Sequence, residues 1–291
     1  MTDVIEGVPY ARVERPGCPL CARVNPTRMI AATFGMMAMV AECTDCRLAY
    51  QSPRPSLEAS LAYMDMRWRS QDAYVADVER QRNRAQAQTA ILAPLVGARP
   101  RVLDFGAGIG TFVKVARELG WEAVGVERSI PALERATRQN AIDLEPDLYA
   151  VDGEFDIITL WDVIEHQRDP VGVVAELRTH LRPGGWMVFE TGNWESWNRL
   201  ATGDAWSLYL FDHQYYFSPA SLAAFLSKSG LAEFQILSGR QGAPPEPPAD
   251  GASEDARSRW DAYRRGIALW PEHASIDIMT VAARRPDVPV P

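Results

Sequence analysis

The chain has 291 residues, 47% apolar and 23% charged, and a formal net charge of −8. That length holds one large domain plus a small module, and the acidic balance disfavours a nucleic-acid partner, which calls for a basic surface. No N-terminal apolar core reads as a signal peptide, and the longest nearly apolar run, residues 29–41, is too short to span a bilayer. The expectation is a cytoplasmic protein with no membrane partner.

The four cysteines come first in chain order, as Cys18-Pro19-Leu20-Cys21 and Cys43-Thr44-Asp45-Cys46. Two C-x-x-C pairs in one short segment predict a tetrahedral four-thiolate zinc site of ribbon or knuckle type. With all four positions taken by protein, such a zinc is structural and not catalytic. Two disulfides or four ordinary thiols are the plainer readings; a cytosolic chain disfavours the former. Residues 1–55 are therefore read as a zinc-ribbon module. Met29, Ile30, Phe34, Met36, Met37, Met39 and Val40 would pack under the metal. The module would staple the N-terminus to the rest of the chain, cover part of a substrate site, or serve as a homo-oligomer contact. Its arginines are scattered and it has no lysine, which argues against nucleic acid.

Residues 56–98 read as a helical cap or linker, with helices over 57–63 and 76–95. The second is polar along most of its length and suits a solvated cover for one sheet edge. Tyr63, Trp68 and Tyr74 could face a substrate cavity.

The run Val102-Leu103-Asp104-Phe105-Gly106-Ala107-Gly108-Ile109-Gly110-Thr111 is the most informative stretch. It reads as a strand, a tight glycine turn and a helix N-terminus, the nucleotide-binding corner of an α/β sheet. Glycine serves where the turn needs unusual φ/ψ and a ligand must approach bare backbone. The spacing G-x-G-x-G is neither the dinucleotide fingerprint nor a phosphate loop. Asp104 suits a ligand carrying a cationic amino-acid part. A helix-like stretch follows over 112–119. Val124-Gly125-Val126-Glu127 is a second short strand ending in an acid, and a carboxylate about 20 residues past the turn can accept both hydroxyls of a ribose.

A weak third strand is expected near 141–144. Residues 155–162, nearly continuously apolar, predict a buried parallel strand leading into Val163-Ile164-Glu165-His166. Leu181-Arg182-Pro183-Gly184-Gly185 is a turn signal before a strand over 186–191. Aromatics crowd residues 186–217, where open α/β sheets bind ligands; about half are expected to line a substrate pocket. A sixth strand is expected near 234–238. A Pro-rich flexible loop follows at about 241–256, with a disordered surface loop, a lid or an oligomer contact as its readings. Then come a helix over 260–269, a final strand over 275–283 and a tail over 286–291.

The order LDFGAGIG, VGVE, FDIITLWDVIEH and LRPGGWMVFET resembles the class I S-adenosylmethionine (SAM)-dependent methyltransferases over residues 100–240 or so. The ribbon, the Leu48–Pro55 stretch, Glu190-Thr191-Gly192-Asn193 and His213-Gln214-Tyr215-Tyr216-Phe217-Ser218-Pro219 resemble a subgroup with an N-terminal four-cysteine zinc segment. The resemblance implies an α/β, Rossmann-like seven-stranded methyltransferase sheet with helices on both faces, over residues 99–291, its last strand antiparallel. It implies that Asp104, Gly106, Gly108 and Gly110, with Phe105 and Ala107 between them, surround the methionine part of SAM. Glu127 would hold the ribose, Asp147 and Leu148 would neighbour the adenine, and Trp161 and Asp162 would line the site. Members of this subgroup act on small molecules, often in sugar or secondary-metabolite pathways.

Methyl transfer aligns acceptor, methyl and sulfur and excludes water. Where the acceptor must lose a proton, a base is needed, and the candidates are His213, His166 and Tyr215. His180 reads as a helix-end residue and His273 as incidental. The expectation is therefore an enzyme with SAM and structural zinc that methylates O, N or C of a small molecule. The alternatives are an RNA-modifying methyltransferase and a zinc-stapled SAM-binding protein without turnover.

Overall fold

The computed structural model describes residues 4–5, 8–9, 13–22, 28–33, 38–70, 77–241, 247–254, 256–258, 260–261, 264 and 275–287. Tyr74, Phe34, Met36, Met37, His273, most of the predicted helix over 260–269, part of the Pro-rich loop and most of the predicted tail lie outside them.

The N-terminal part is a small antiparallel sheet: β1 (Arg28–Thr33), β2 (Ala38–Glu42) and β3 (Ala49–Gln51). Two helices follow. α1 (Leu57–Ser70) runs well past the predicted 57–63, which puts Trp68 on its last turn. α2 (Val78–Leu92) starts on Asp77, whose carboxylate accepts the Arg80 amide at 3.0 Å. A 3-10 turn containing Pro94 ends it, because proline has no amide to continue the ladder. Ala85, Gln88, Thr89 and Leu92 are its buried face. Its exposed face is tied to the next helix by Arg82 and Glu118, 2.6 Å apart.

The main sheet is built from β4 (Arg101–Phe105), β5 (Glu122–Val126), β6 (Phe155–Trp161), β7 (Leu181–Gly192), β9 (Ala232–Gln241) and β10 (Ile276–Arg284), in the order β9-β10-β7-β6-β4-β5. The pairs β7–β6, β6–β4 and β4–β5 are parallel; β10 is antiparallel to both neighbours. Helices α3 (Thr111–Glu118), α4 (Ile130–Arg135), α5 (Pro170–Thr179), α6 (Trp197–Thr202) and α7 (Pro219–Lys228) connect the strands. The central strands are apolar on both faces because helices cover both: Val102, Leu103, Ile157, Ile158, Met187, Val188, Val281 and Ala282 are all buried.

Two expectations need correction. The sheet has six strands among the described residues, not seven. At the expected third strand only Glu145 pairs, in a single parallel bridge to Val126. Ala141 there is left-handed (φ +53°) and Pro146 follows at once, so the ladder can neither start earlier nor continue. The turn signal at 181–185 does not precede β7 but lies inside it. Leu181 pairs with Phe155 while Trp186 pairs with Ile157, so residues 182–185 bulge out between two paired positions.

The two sheets are not independent. β8 (Tyr215–Tyr216) adds an edge strand to the N-terminal sheet, with Tyr215 opposite Tyr50 and Tyr216 opposite Ala49. Trp194, Trp206, Tyr209 and Tyr216 pack on Val40 and Ala49 as one buried cluster. These aromatics are packing between the N-terminal sheet and the connection after β7.

Candidate functional site

The site lies at the carboxyl ends of β4, β5, β6 and β7. Gly106, Gly108 and Gly110 all adopt positive φ (+77°, +57° and +73°), a region that L side chains rarely enter. A β-carbon on Gly106 would also fall 2.6 Å from Val163 Cγ2, and one on Gly108 2.9 Å from Trp68 Cη2. Ala107 and Gly106 amides donate to the Val126 carbonyl, which ties the turn to β5. Gly110 caps α3. Phe105 ends β4 beside the turn.

Two carboxylates flank the turn. Asp104 is buried and accepts the Thr159 hydroxyl at 2.8 Å. Burial, reinforced by the nearby Glu127 charge, pushes its acid up to about 7. Glu127 is also buried and raised by desolvation, although it accepts the Gly108 amide at 2.9 Å and the Ser129 amide at 2.8 Å. An acid held this far from water is matched by a ligand that brings a cation. Asp147 caps a short 3-10 turn through the Ala150 amide, and Leu148 is buried behind it. Trp161 packs on Phe112 at 5.5 Å, and its buried indole nitrogen has no hydrogen-bond partner among the described residues. Asp162, at φ +56°, receives Arg84 of α2 at 2.5 Å. The same guanidinium reaches Glu190 at 2.5 Å, a contact the sequence did not reveal because its members lie on α2, just after β6 and on β7.

Beyond β6 the chain gathers a second group. His166 Nδ1 lies 2.9 Å from the Asp212 carbonyl. The rings of His166 and His213 meet edge to face at 4.7 Å. Burial, with help from the His166 charge, lowers His213 to about 3. For His166 burial works downward, but the Asp212 and Glu165 carboxylates outweigh it and raise it. Burial pushes Glu165 up to about 8, against the pull of His166. Arg67 of α1 stands 3.7 Å from Asp212. Asp212, Glu165 and Arg67 were not singled out in the sequence; only the Glu-His doublet hinted at one of them.

Tyr215 lies elsewhere. Its hydroxyl donates to the Arg168 carbonyl at 3.1 Å and accepts from Arg54 at 3.2 Å, so it clamps the N-terminal sheet to the loop after His166. His180 is the C-cap of α5, the helix end expected of it.

The four cysteines converge. One sulfur from each lies within 4.8 Å of the others, with Cys18–Cys46 and Cys21–Cys43 at 3.3 Å. All four are free thiols, which removes the disulfide reading. Burial drives Cys18 above its ordinary value and Cys46 up to about 11. For Cys43 burial also acts upward, but the Cys46 amide and the Cys21 thiol bring it down to about 7. Thiolates at zinc, with bonds of about 2.3 Å, sit about 3.8 Å apart, a spacing the cluster reaches with small adjustment.

Comparison with known proteins agrees with this frame. A family profile described as a methyltransferase domain matches residues 78–235. Over 164 residues the chain is 30% identical to a ubiquinone biosynthesis O-methyltransferase of Thiobacillus denitrificans, covering 50% of this chain and 69% of that protein. A protein of the same name from Burkholderia pseudomallei is 26% identical over 153 residues, covering 47% and 66%. The chain thus spans about two thirds of the length of these relatives. Among solved structures, a SAM-dependent methyltransferase from Archaeoglobus fulgidus superposes with TM-score 0.52 at 17% identity, covering 70% of this chain and 94% of that one. A 1,6-didemethyltoxoflavin-N1-methyltransferase from Burkholderia thailandensis superposes with TM-score 0.50 at 17% identity, covering 84% and 98%. With the family profile matched over more than half its length and a relative 30% identical over 69% of that relative's length, the chain belongs to the SAM-dependent methyltransferase family.

Proposed function

We propose that the protein methylates a small-molecule acceptor whose reacting atom sits between the glycine turn and the His166–His213 pair. The carrying observation is the buried Asp104 beside that turn, an acid in need of a cation. Asp104 would face the ammonium of SAM, the amides and bare α-carbons of residues 105–110 would admit its methionine part, and Glu127 would turn from the Gly108 amide to the ribose. Asp147 and Leu148 would border the adenine, with Trp161 and Asp162 lining the methyl end. When bound, SAM supplies an electrophilic methyl on a sulfonium sulfur.

The chain's own residues do the rest. His213, whose ring meets that of His166 edge to face, is the proposed acceptor of the substrate's proton. His166, oriented by the Asp212 carbonyl, supports it. Tyr215 positions the loop that carries His213 and does not touch the acceptor. The relatives named for O-methylation make an oxygen acceptor the first class to assay. The acidic chain supports a small molecule over RNA. No helix among the described residues is long and apolar enough to cross a membrane.

Residues 1–55 form the zinc module in this reading, 56–98 the cap and 99–291 the methyltransferase domain. Cys18, Cys21, Cys43 and Cys46 hold a structural zinc, which would lock β2 and β3 in place. The test is methyl incorporation from labelled SAM in an extract, sorted into small-molecule, nucleic-acid and protein pools. Label in small molecules supports the proposal. Label in RNA or protein overturns the acceptor class. Tight SAM binding with no label in any pool points to the binding protein without turnover.

A further inference from the structure

We propose that Glu165, His166 and His213 form a second metal site, separate from the four cysteines, that holds a first-row divalent cation at the acceptor end of the pocket. This rests on the placement of the acceptor given above.

Three observations carry it. One ligand atom from each of the three residues lies within 4.8 Å of the others, although Glu165 and His166 lie some 47 residues before His213. Glu165 is 2% exposed, and its Oε2 has no hydrogen-bond partner among the described residues. An unpaired carboxylate oxygen in the protein interior is costly and is satisfied by a cation. Finally, His166 is already prepared as a ligand. A carbonyl can only accept, so the 2.9 Å contact to the Asp212 carbonyl fixes the hydrogen on Nδ1 and leaves the Nε2 lone pair available. Backbone carbonyls orient metal-bound histidines in this way. Asp212 Oδ1, also buried and unpartnered, adds negative charge beside the group.

Two histidines and one carboxylate are the donor set of sites that keep exchangeable positions open. The cysteine cluster is the opposite case, closed by four protein ligands. An acceptor hydroxyl would fill an open position. Bound there, its O–H bond breaks and the proton leaves to solvent. An oxygen lone pair then forms the bond to the methyl carbon, and the carbon–sulfur bond breaks with its electrons staying on sulfur. His213 acts as a ligand while the cation is present and as the proton acceptor only without it. The acceptor class follows: a molecule presenting an ionisable hydroxyl, with a neighbouring oxygen that can share the cation.

The experiment uses the full chain and two probes, Mn²⁺ followed by electron paramagnetic resonance and zinc counted by elemental analysis. Mn²⁺ prefers nitrogen and oxygen donors to thiolates, so it reports this site and not the ribbon. The wild type is expected to bind one Mn²⁺ per chain, and to hold two zinc ions when loaded with zinc. Glu165→Gln and His213→Ala are expected to weaken Mn²⁺ binding by about 10–100-fold and to hold one zinc. SAM affinity unchanged within about threefold shows that the variants are folded. Wild type that binds no Mn²⁺, or variants that match wild type in both counts, overturns the site. Full-rate methylation by chelator-treated protein also overturns it while leaving the methyltransferase reading intact. Mn²⁺ binding with no SAM binding supports the site and defeats that reading instead.

Discussion

The indole of Trp68 lies over the α-carbon of Gly108, so close that a β-carbon there would stand 2.9 Å from Cη2. The last turn of α1 thus covers the surface that the methionine part of SAM would use. α1 is held down by Asp65 beside the Ser129 hydroxyl at 3.2 Å and by Arg135 on the Arg69 carbonyl at 3.1 Å. SAM entry is expected to displace Trp68 and quench part of the tryptophan fluorescence. Trp68→Phe should remove that change while SAM still binds; an unchanged signal would place the closing motion elsewhere. Gly108→Ala combines this crowding with a positive φ. It should cost about 1 kcal/mol or more of stability and weaken SAM binding at least about tenfold, as read by calorimetry.

Asp104 makes a pH prediction with a definite sign. Its folded acid is raised to about 7 by burial, against about 3.9 in an unfolded chain. The folded state therefore holds the proton more tightly. The stability this contributes is full below about pH 4 and is lost as the pH rises to about 7. Asp104→Asn should melt higher than wild type at pH 8 without ligand, the gap closing near pH 4, and should bind SAM at least about tenfold more weakly. In the wild type, a cationic ligand draws the acid down, so SAM binding near pH 6.5 should release a proton, visible as a buffer-dependent heat. A variant that melts lower at pH 8 and binds SAM normally would refute the assignment.

Arg84 joins α2 to the strand ends through Asp162 and Glu190. Arg84→Met should destabilise the fold by about 2–3 kcal/mol, because Glu190 is buried and, among the described residues, keeps only Arg240, at 3.2 Å, as a charged partner. Adding Glu190→Gln should recover part of that loss in denaturant titrations. If the double variant is less stable than the single one, the two residues do not act as a pair.

The segment after Cys46 reaches the loop that carries His213 through short contacts. The Gln51 amide donates to the Gln214 carbonyl at 2.8 Å, the Gln51 side chain reaches the Phe211 carbonyl at 3.3 Å, and Arg54 donates to Gln214 Oε1 at 2.9 Å. Phe211 and Gln214, on either side of His213, are thereby tied to the segment after Cys46. Removing zinc, or Cys43→Ser, is expected to lower methylation at least about tenfold while leaving SAM affinity within about threefold. Equal losses of both would mean that the ribbon supports the whole fold and not the His213 loop in particular.

Much of the glycine turn and its flanking acids was legible in the sequence because their determinants are local. A strand, three glycines with positive φ and an acid at the next strand end are dictated by neighbours along the chain, and so is the pairing of cysteines two by two. The sequence by itself determined that frame and the two-by-two pairing of the cysteines; the structure gathers the four sulfurs as free thiols. Only the tertiary structure decided that a bridge at Glu145 stands where a seventh strand was expected, since Pro146 ends the ladder. It also decided that Trp194, Trp206, Tyr209 and Tyr216 pack on the N-terminal sheet, that the Tyr215 hydroxyl meets Arg54 and the Arg168 carbonyl, and that Arg84 meets Asp162 while Asp212 and Glu165 stand beside His166. These depend on contacts between segments tens of residues apart, and periodicity and spacing carry no information about which distant faces meet.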